Sequence, residues 1–120
     1  MKSEKGAIRR LTSLNSKVSC HYFIKNDGEI IQIVPDLYIA WHAGISYWKK
    51  DKLLNSNSIG IEISNPGHKN GYKKFNIKQI KSIIKLSRSL KKKYKIKKEN
   101  ILGHSDISPL RKIDPGEKFP

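Results

Sequence analysis

Between Ile77 and Tyr94, apolar side chains recur at Ile77, Ile80, Ile83, Ile84, Leu90 and Tyr94, the three-to-four-residue step of a helix face. Lys78, Lys81, Lys85, Arg88 and Lys92 fall mostly outside that stripe. Asn76 followed by Gln79 matches the two ends of a capping box, in which each side chain bonds the other's backbone N–H. The spacing therefore predicts a helix over 77–94 with the six apolar residues buried. A shorter stripe, Ala7, Ile8, Leu11 and Leu14, predicts an amphipathic helix over 3–14 with Lys5, Arg9 and Arg10 outside.

Elsewhere the period changes to two. In "VSCHYFIKNDGEIIQIV" (18–34) two β-rich runs flank Asn26-Asp27-Gly28, residues that tolerate the positive φ of a tight turn, so a hairpin is expected. "IGIEIS" (59–64) alternates Ile59, Ile61 and Ile63 with Gly60, Glu62 and Ser64, a strand with Glu62 on the face opposite the isoleucines. "ENILGHS" (99–105) is expected to form a short strand that delivers His104 at its C-terminal end. Residues 40–58 have mixed periodicity and read as a loop, and 65–71 as a turn-rich loop. Interleaved strands and helices argue for an α/β or α+β sandwich around one sheet.

Composition sets the bounds. A chain of 120 residues suffices for one domain with one core, and 37% apolar content excludes wholesale disorder. The net charge of +15 implies an anionic partner such as nucleic acid, an anionic membrane surface or an acidic cell-wall polymer. The richness in Lys, Ile and Asn is matched equally by the habit of an AT-rich genome. One cysteine, Cys20, excludes an intrachain disulfide and a multi-cysteine zinc site. No apolar run approaches the ~20 residues that span a bilayer, and the first 19 residues show no signal-peptide core.

Several residues could carry chemistry. His104 and Asp114, with Gly103 before them and Pro109, Pro115 and Gly116 stiffening the segment, offer the imidazole and carboxylate that zinc takes. Spacing alone leaves that metal site the minority reading. Glu62 is either a general base aimed into a cleft or an ordinary surface charge, and pattern favours the surface. Lys112 could stabilise an oxyanion, against the default of one more solvated lysine. His42, among Trp41, Tyr47 and Trp48, suits a sugar or peptide groove as well as it suits plain packing. His21 on its strand reads as packed, and His68 as exposed.

Taken in order, "AWHAGISYW", "LNSNSIGIEISNPG", the "FNIKQI" helix and "ENILGHSDISPLRKIDPGEKFP" closely resemble the zinc-dependent N-acetylmuramoyl-L-alanine amidases of the type 2 amidase family, which shares a superfamily with the peptidoglycan recognition proteins. The resemblance spans essentially the whole chain, and "IEISNPG" and the final "FP" lean toward its broad-specificity AmiD branch. It implies an α/β fold with a single mixed β-sheet flanked by helices. It also implies a Zn2+ cofactor held partly by His104 and Asp114, with Glu62 activating the attacking water and Lys112 steadying the tetrahedral intermediate. His42, Trp41 and Asn65 then line the substrate groove. The implied reaction is hydrolysis of the amide between N-acetylmuramic acid and L-alanine in peptidoglycan or muropeptides.

One departure accompanies the match. The family's first zinc histidine lies on an N-terminal strand just before the helix equivalent to 3–14, and this chain opens at that helix. The N-terminal strand and its ligand are thus expected to be missing from 1–120, read as a single amidase-like domain truncated at its N-terminus. A start placed too late, a degraded remnant and a module that binds wall without cutting it all fit that deficit. His21 is not a replacement, since the family has its own His-Tyr pair there. A truncated chain should be less stable and less active than an extended one. The resemblance favours the bacterial envelope (periplasm) over the cytoplasm, a peptidoglycan partner and a monomer. A basic nucleic-acid-binding protein, suggested by the charge and the lysine-studded helix, is the weakest reading because no nucleic-acid motif is present.

Overall fold

The computed structural model describes residues 4–65 and 73–120. The predicted hairpin is present: β1 (Tyr22–Ile24) pairs antiparallel with β2 (Ile30–Gln32), with Phe23 opposite Ile31. Lys25 donates its N–H to Glu29 O at 2.9 Å, and Gly28 takes φ +88°, the left-handed conformation that glycine adopts without steric penalty. A Cβ on Gly28 would also lie 2.8 Å from Lys78 O, so the turn can sit directly on the long helix.

β3 (Ile61–Ile63) lies on the other side of β1 and runs parallel to it, with Phe23 opposite Glu62. The result is a three-stranded mixed sheet in the order β2-β1-β3. Successive residues of β1 serve different cores, as strand alternation requires. Phe23, fully buried, joins Ala7 and Leu11 of α1 (Glu4–Thr12) and Cys20 on one face. Ile24, also fully buried, packs with Ile59, Ile61 and Ile63 against Leu86 and Leu90 on the other.

Those leucines belong to the long helix, the third in chain order after α2 (Leu54–Asn57). It is α3 (Ile77–Tyr94), matching its predicted span. Asn76 Oδ1 accepts from Gln79 N at 3.0 Å and Gln79 Oε1 from Asn76 N at 3.3 Å, completing the capping box. Gln79 is itself buried, and its Nε2 donates to Ser64 O at 2.8 Å, tying the helix start to the end of β3.

Four expectations are corrected. Ile77 and Ile84 are exposed, and Gln79 and Leu86 take buried places on the helix face that meets the sheet. Leu14 is 85% exposed in a 3-10 turn beyond α1, and Ser3 lies outside the described residues. No strand forms over 99–105: a 3-10 turn (Lys98–Asn100) is followed by irregular backbone, and His104 opens a short helix, α4 (His104–Ile107). Gly103 explains this, because its N–H bonds Asp106 Oδ2 at 2.7 Å and a Cβ there would come within 2.8 Å of the Pro115 ring. Within the expected loop 40–58, α2 and a bridge between Trp48 and Asp51 add local order. His68 and most of the 65–71 loop lie outside the described residues.

Candidate active site

Chain reversal after α4 brings His104 and Asp114 face to face. Ser105 N bonds Asp114 O at 2.9 Å, so the backbone sets the approach, and His104 Nδ1 then stands 3.2 Å from Asp114 Oδ2. The other ring nitrogen, Nε2, lies 2.8 Å from the carbonyl oxygen of Ala43. A carbonyl only accepts, so Nε2 carries the proton and Nδ1 presents its lone pair to Asp114 whenever the ring is neutral. The same proximity makes the pair an ion pair when the ring is protonated. The imidazole is held above its usual range chiefly by the bond to Asp114, against the opposing effect of burial. Burial tends to raise the Asp114 carboxyl, but the His104 bond and charge outweigh it and hold it below the ordinary carboxylate range.

Glu62 reaches the same place from β3. It points to the α1 side of the sheet, opposite the isoleucines as the alternation predicts, and away from open solvent. Burial raises its carboxyl first and the negative charge of Asp114 raises it further, with His104 and Lys112 partly offsetting both. Glu62 also adds to the burial that pushes the Cys20 thiol up to about 12, leaving that cysteine an unreactive core side chain. Lys112 N bonds Ser108 O at 2.8 Å, placing the residue two positions before Asp114 on the same turn, and its charge acts on Glu62, His104 and Asp114 alike. Glu62, His104, Lys112 and Asp114 thus form one electrostatic cluster.

The other expected groove residues surround it unequally. His42 lies over Gly60 of the turn into β3, its Nε2 3.2 Å from Ser58 Oγ and its ring 5.6 Å from that of His21, edge to face. Its imidazole is pushed down to about 4 by burial, then by His21, with His104 adding to the effect, so it is neutral at pH 7. Trp41 is held through its backbone, with Ser19 Oγ accepting its N–H at 2.8 Å, and its ring is half exposed beside the exposed Tyr38 and Ile39. Asn65 uses its amide on the backbone of Lys73, Nδ2 to O at 2.7 Å and Oδ1 from N at 3.4 Å, so its side chain ties the end of β3 to Lys73.

His21 has neither nitrogen available. Nδ1 accepts from Gly60 N at 3.0 Å, Nε2 donates to Tyr38 O at 2.7 Å, and the side chain is fully buried. Among the described residues no three His, Cys, Asp or Glu side chains stand together as a metal-holding set. His104 Nδ1 and Asp114 Oδ2 nevertheless suit zinc as a pair. The two atoms stand 3.2 Å apart, the donor types match its preference, and the second imidazole nitrogen is fixed by a backbone carbonyl, as in established zinc sites.

Two residues with no pattern in the sequence support this geometry. Asn55 Oδ1 accepts the N–H groups of both His42 (3.1 Å) and Ala43 (2.7 Å). The Arg111 guanidinium donates to Ala43 O at 2.9 Å and to Ile45 O at 3.1 Å. Their bonds all end on main-chain atoms, which no residue spacing announces.

The family model for N-acetylmuramoyl-L-alanine amidase matches residues 1–117. The chain is 40% identical over 121 residues to the N-acetylmuramoyl-L-alanine amidase AmiD of Escherichia coli K12, covering 91% of this chain and 44% of that one. It is 40% identical over 104 residues to the 1,6-anhydro-N-acetylmuramyl-L-alanine amidase AmpD of Haemophilus influenzae, covering 86% and 54%. The fold superposes on AmiD from E. coli in complex with anhydro-N-acetylmuramic acid-L-Ala-D-gamma-Glu-L-Lys at a TM-score of 0.88, with 38% identity over 97% of this chain and 49% of that one. It superposes on AmpDh3 from Pseudomonas aeruginosa at 0.92, with 30% identity over 98% and 52%. The chain therefore spans about half the length of these relatives. With a family match over nearly its whole length and a shared fold, the chain belongs to the N-acetylmuramoyl-L-alanine amidase family.

Proposed function

We propose that the protein hydrolyses the amide between N-acetylmuramic acid and L-alanine of peptidoglycan or muropeptides, with His104 and Asp114 as ligands of a Zn2+ ion. The observation that carries this reading is the convergence of His104 Nδ1 and Asp114 Oδ2 at 3.2 Å beside Glu62 and Lys112, in a chain whose relatives are amidases. When bound, the ion supplies Lewis acidity toward the scissile carbonyl and makes a water acidic enough to serve as nucleophile.

The protein's own groups do the rest. Glu62, its basicity raised by burial and by Asp114, takes the proton from the attacking water and returns one to the departing L-alanine nitrogen. Lys112, whose charge acts on the same cluster, stabilises the negative charge that develops on the carbonyl oxygen. His42, neutral and half-buried, and the half-exposed Trp41 form the rim against which a muramyl peptide lies. The oxygen of water forms the new bond to the lactyl carbonyl carbon, the C–N bond breaks, and the products are a lactyl carboxylate and a free L-alanine amine.

Among the described residues, His104 and Asp114 are the two donors that suit a zinc site. A peptidoglycan substrate fits a protein of the bacterial envelope; no helix of the described residues is long and apolar enough to cross a membrane. Incubating the zinc-supplemented protein with a muramyl tripeptide and following the mixture by mass spectrometry tests the reading. Stem peptide with a free L-alanine amine is expected, with a loss of roughly 100-fold or more in Glu62→Gln. Binding of the muramyl tripeptide without release of stem peptide points instead to a wall-binding module.

A further inference from the structure

The carbonyl of Ala43 is held by two donors. His104 Nε2 donates to it at 2.8 Å and Arg111 Nη2 at 2.9 Å, using both lone pairs of one oxygen. Arg111 spans onward to Ile45 O through Nη2 at 3.1 Å and Nε at 3.3 Å, and Ser108 Oγ bonds that second oxygen at 2.5 Å. Between the two carbonyls, Gly44 takes φ +63°, and a Cβ there would stand 2.7 Å from Arg111 Nη2. At the other end of the same stretch, the Ala43 N–H is fixed on Asn55 Oδ1 at 2.7 Å, and Ala43 is buried.

From this geometry we infer that Arg111 is a positioning residue. Its guanidinium locks the Ala43 carbonyl against His104 Nε2, which fixes the imidazole as the Nε2–H tautomer and aims the Nδ1 lone pair at the space shared with Asp114. The inference rests on the reading of His104 and Asp114 as cation ligands. A guanidinium suits the task because its planar fork reaches two carbonyls at once and stays charged. Lysine would place one point charge and leave a carbonyl free to turn. The competing role for Arg111 is plain bracing, tying the 43–45 loop to the 108–112 turn. Bracing alone would cost stability when lost and leave the imidazole tautomer unchanged.

Long-range 15N NMR of the His104 ring, followed upward in pH until its shifts stop changing, reads the tautomer of the neutral imidazole in the metal-free protein. Co2+ titration at pH 7.5 reads the consequence for the ligand pair. We expect the native protein to show the Nε2–H form. Arg111→Met, which keeps the aliphatic stem, should show a tautomer mixture and bind Co2+ about 10–100-fold more weakly. Arg111→Lys should fall between the two, and it serves as the readout if Arg111→Met does not fold. A native protein lacking the Nε2–H form, or variants with unchanged ring shifts, would overturn the inference. If the native protein takes up no Co2+, the ligand reading fails, and the ring shifts still decide whether Arg111 sets the tautomer.

Discussion

A Cβ placed on Gly60 would lie 2.3 Å from Cγ of His42, so the imidazole rests on bare backbone where β3 begins. The same glycine gives its N–H to His21 Nδ1 at 3.0 Å, which ties the entry of β3 to the start of β1. Gly60→Ala should therefore force the His42 ring off its seat and lower unfolding stability by about 1–3 kcal/mol, the ordinary range for overpacking a filled site. Urea denaturation would show it as a lower midpoint with an unchanged slope. An unaltered midpoint would mean that the ring has room to yield.

The desolvated position of His42 has a consequence in acid. Its folded value of about 4 lies below the ordinary value of 6.5, so the fold favours the neutral ring. Stability from this group is then fully present above about 6.5 and is lost as pH falls toward 4. The C2 proton of the His42 ring should titrate with a midpoint near 4 by NMR. A midpoint at 6 or above would place the ring in solvent, contrary to its position over Gly60.

On the far side of the sheet, Asp36 closes a clamp between the hairpin and α3. Tyr22 and Tyr94 hydroxyls both donate to its carboxylate, Tyr94 at 2.6 Å, and Lys93 Nζ approaches to 3.8 Å. Burial would raise the Asp36 carboxyl, but those hydrogen bonds and the lysine outweigh it and hold it low. Its contribution is present above the unfolded value near 3.9 and lost as pH falls below that. Tyr22 behaves in the opposite sense. Burial first, then its bond to Asp36, raises the phenol from 10.0 to about 12, so its contribution is complete below pH 10 and lost as pH rises to 12. Denaturant midpoints between pH 10 and 12 should decline less steeply in Tyr22→Phe than in the native protein. Asp36→Ala should cost about 1–3 kcal/mol at neutral pH.

Gln79 combines two tasks that sequence statistics treat separately. It completes the capping box with Asn76 and, while buried, donates to Ser64 O at 2.8 Å. Gln79→Ala removes a cap partner and orphans a carbonyl, so a loss of about 1–3 kcal/mol is expected in thermal or urea unfolding. Gln79→Glu, which can still accept from Asn76 N but cannot donate to Ser64 O when ionised, separates the two parts.

Much of this was readable from the chain because its signals are local. The span of α3, its capping box, the Asp27-Gly28 turn and the face of Glu62 all follow from residues within a few positions of one another. The errors came where distance matters. At 100° per residue, Ile77 and Ile84 lie about 180° and 160° around α3 from Leu86, on the side that looks away from the sheet. Placing Gln79, Ile83, Leu86 and Leu90 on one arc would have found the true buried face despite the polar member. The expected strand at 99–105 fails because Gly103 meets Pro115, twelve residues on, and because Asp106 captures its N–H. His104 and Asp114 stood out as a pair in the sequence, and the shape of the whole chain joins Glu62 and Lys112 to them. Asn55 and Arg111 carried no signal, since they act on main-chain atoms alone.

The claim that His104 and Asp114 hold the ion on which hydrolysis depends is tested most directly by X-ray absorption at the zinc edge. The native protein loaded with one equivalent of Zn2+ would be compared with Asp114→Ala and His104→Ala. Nitrogen and oxygen ligands near 2.0–2.2 Å are expected in the native protein, with a first shell that loses its imidazole scattering contribution in His104→Ala and weaker zinc retention in both variants. Zinc held with the same first shell and the same affinity after either substitution would contradict that claim.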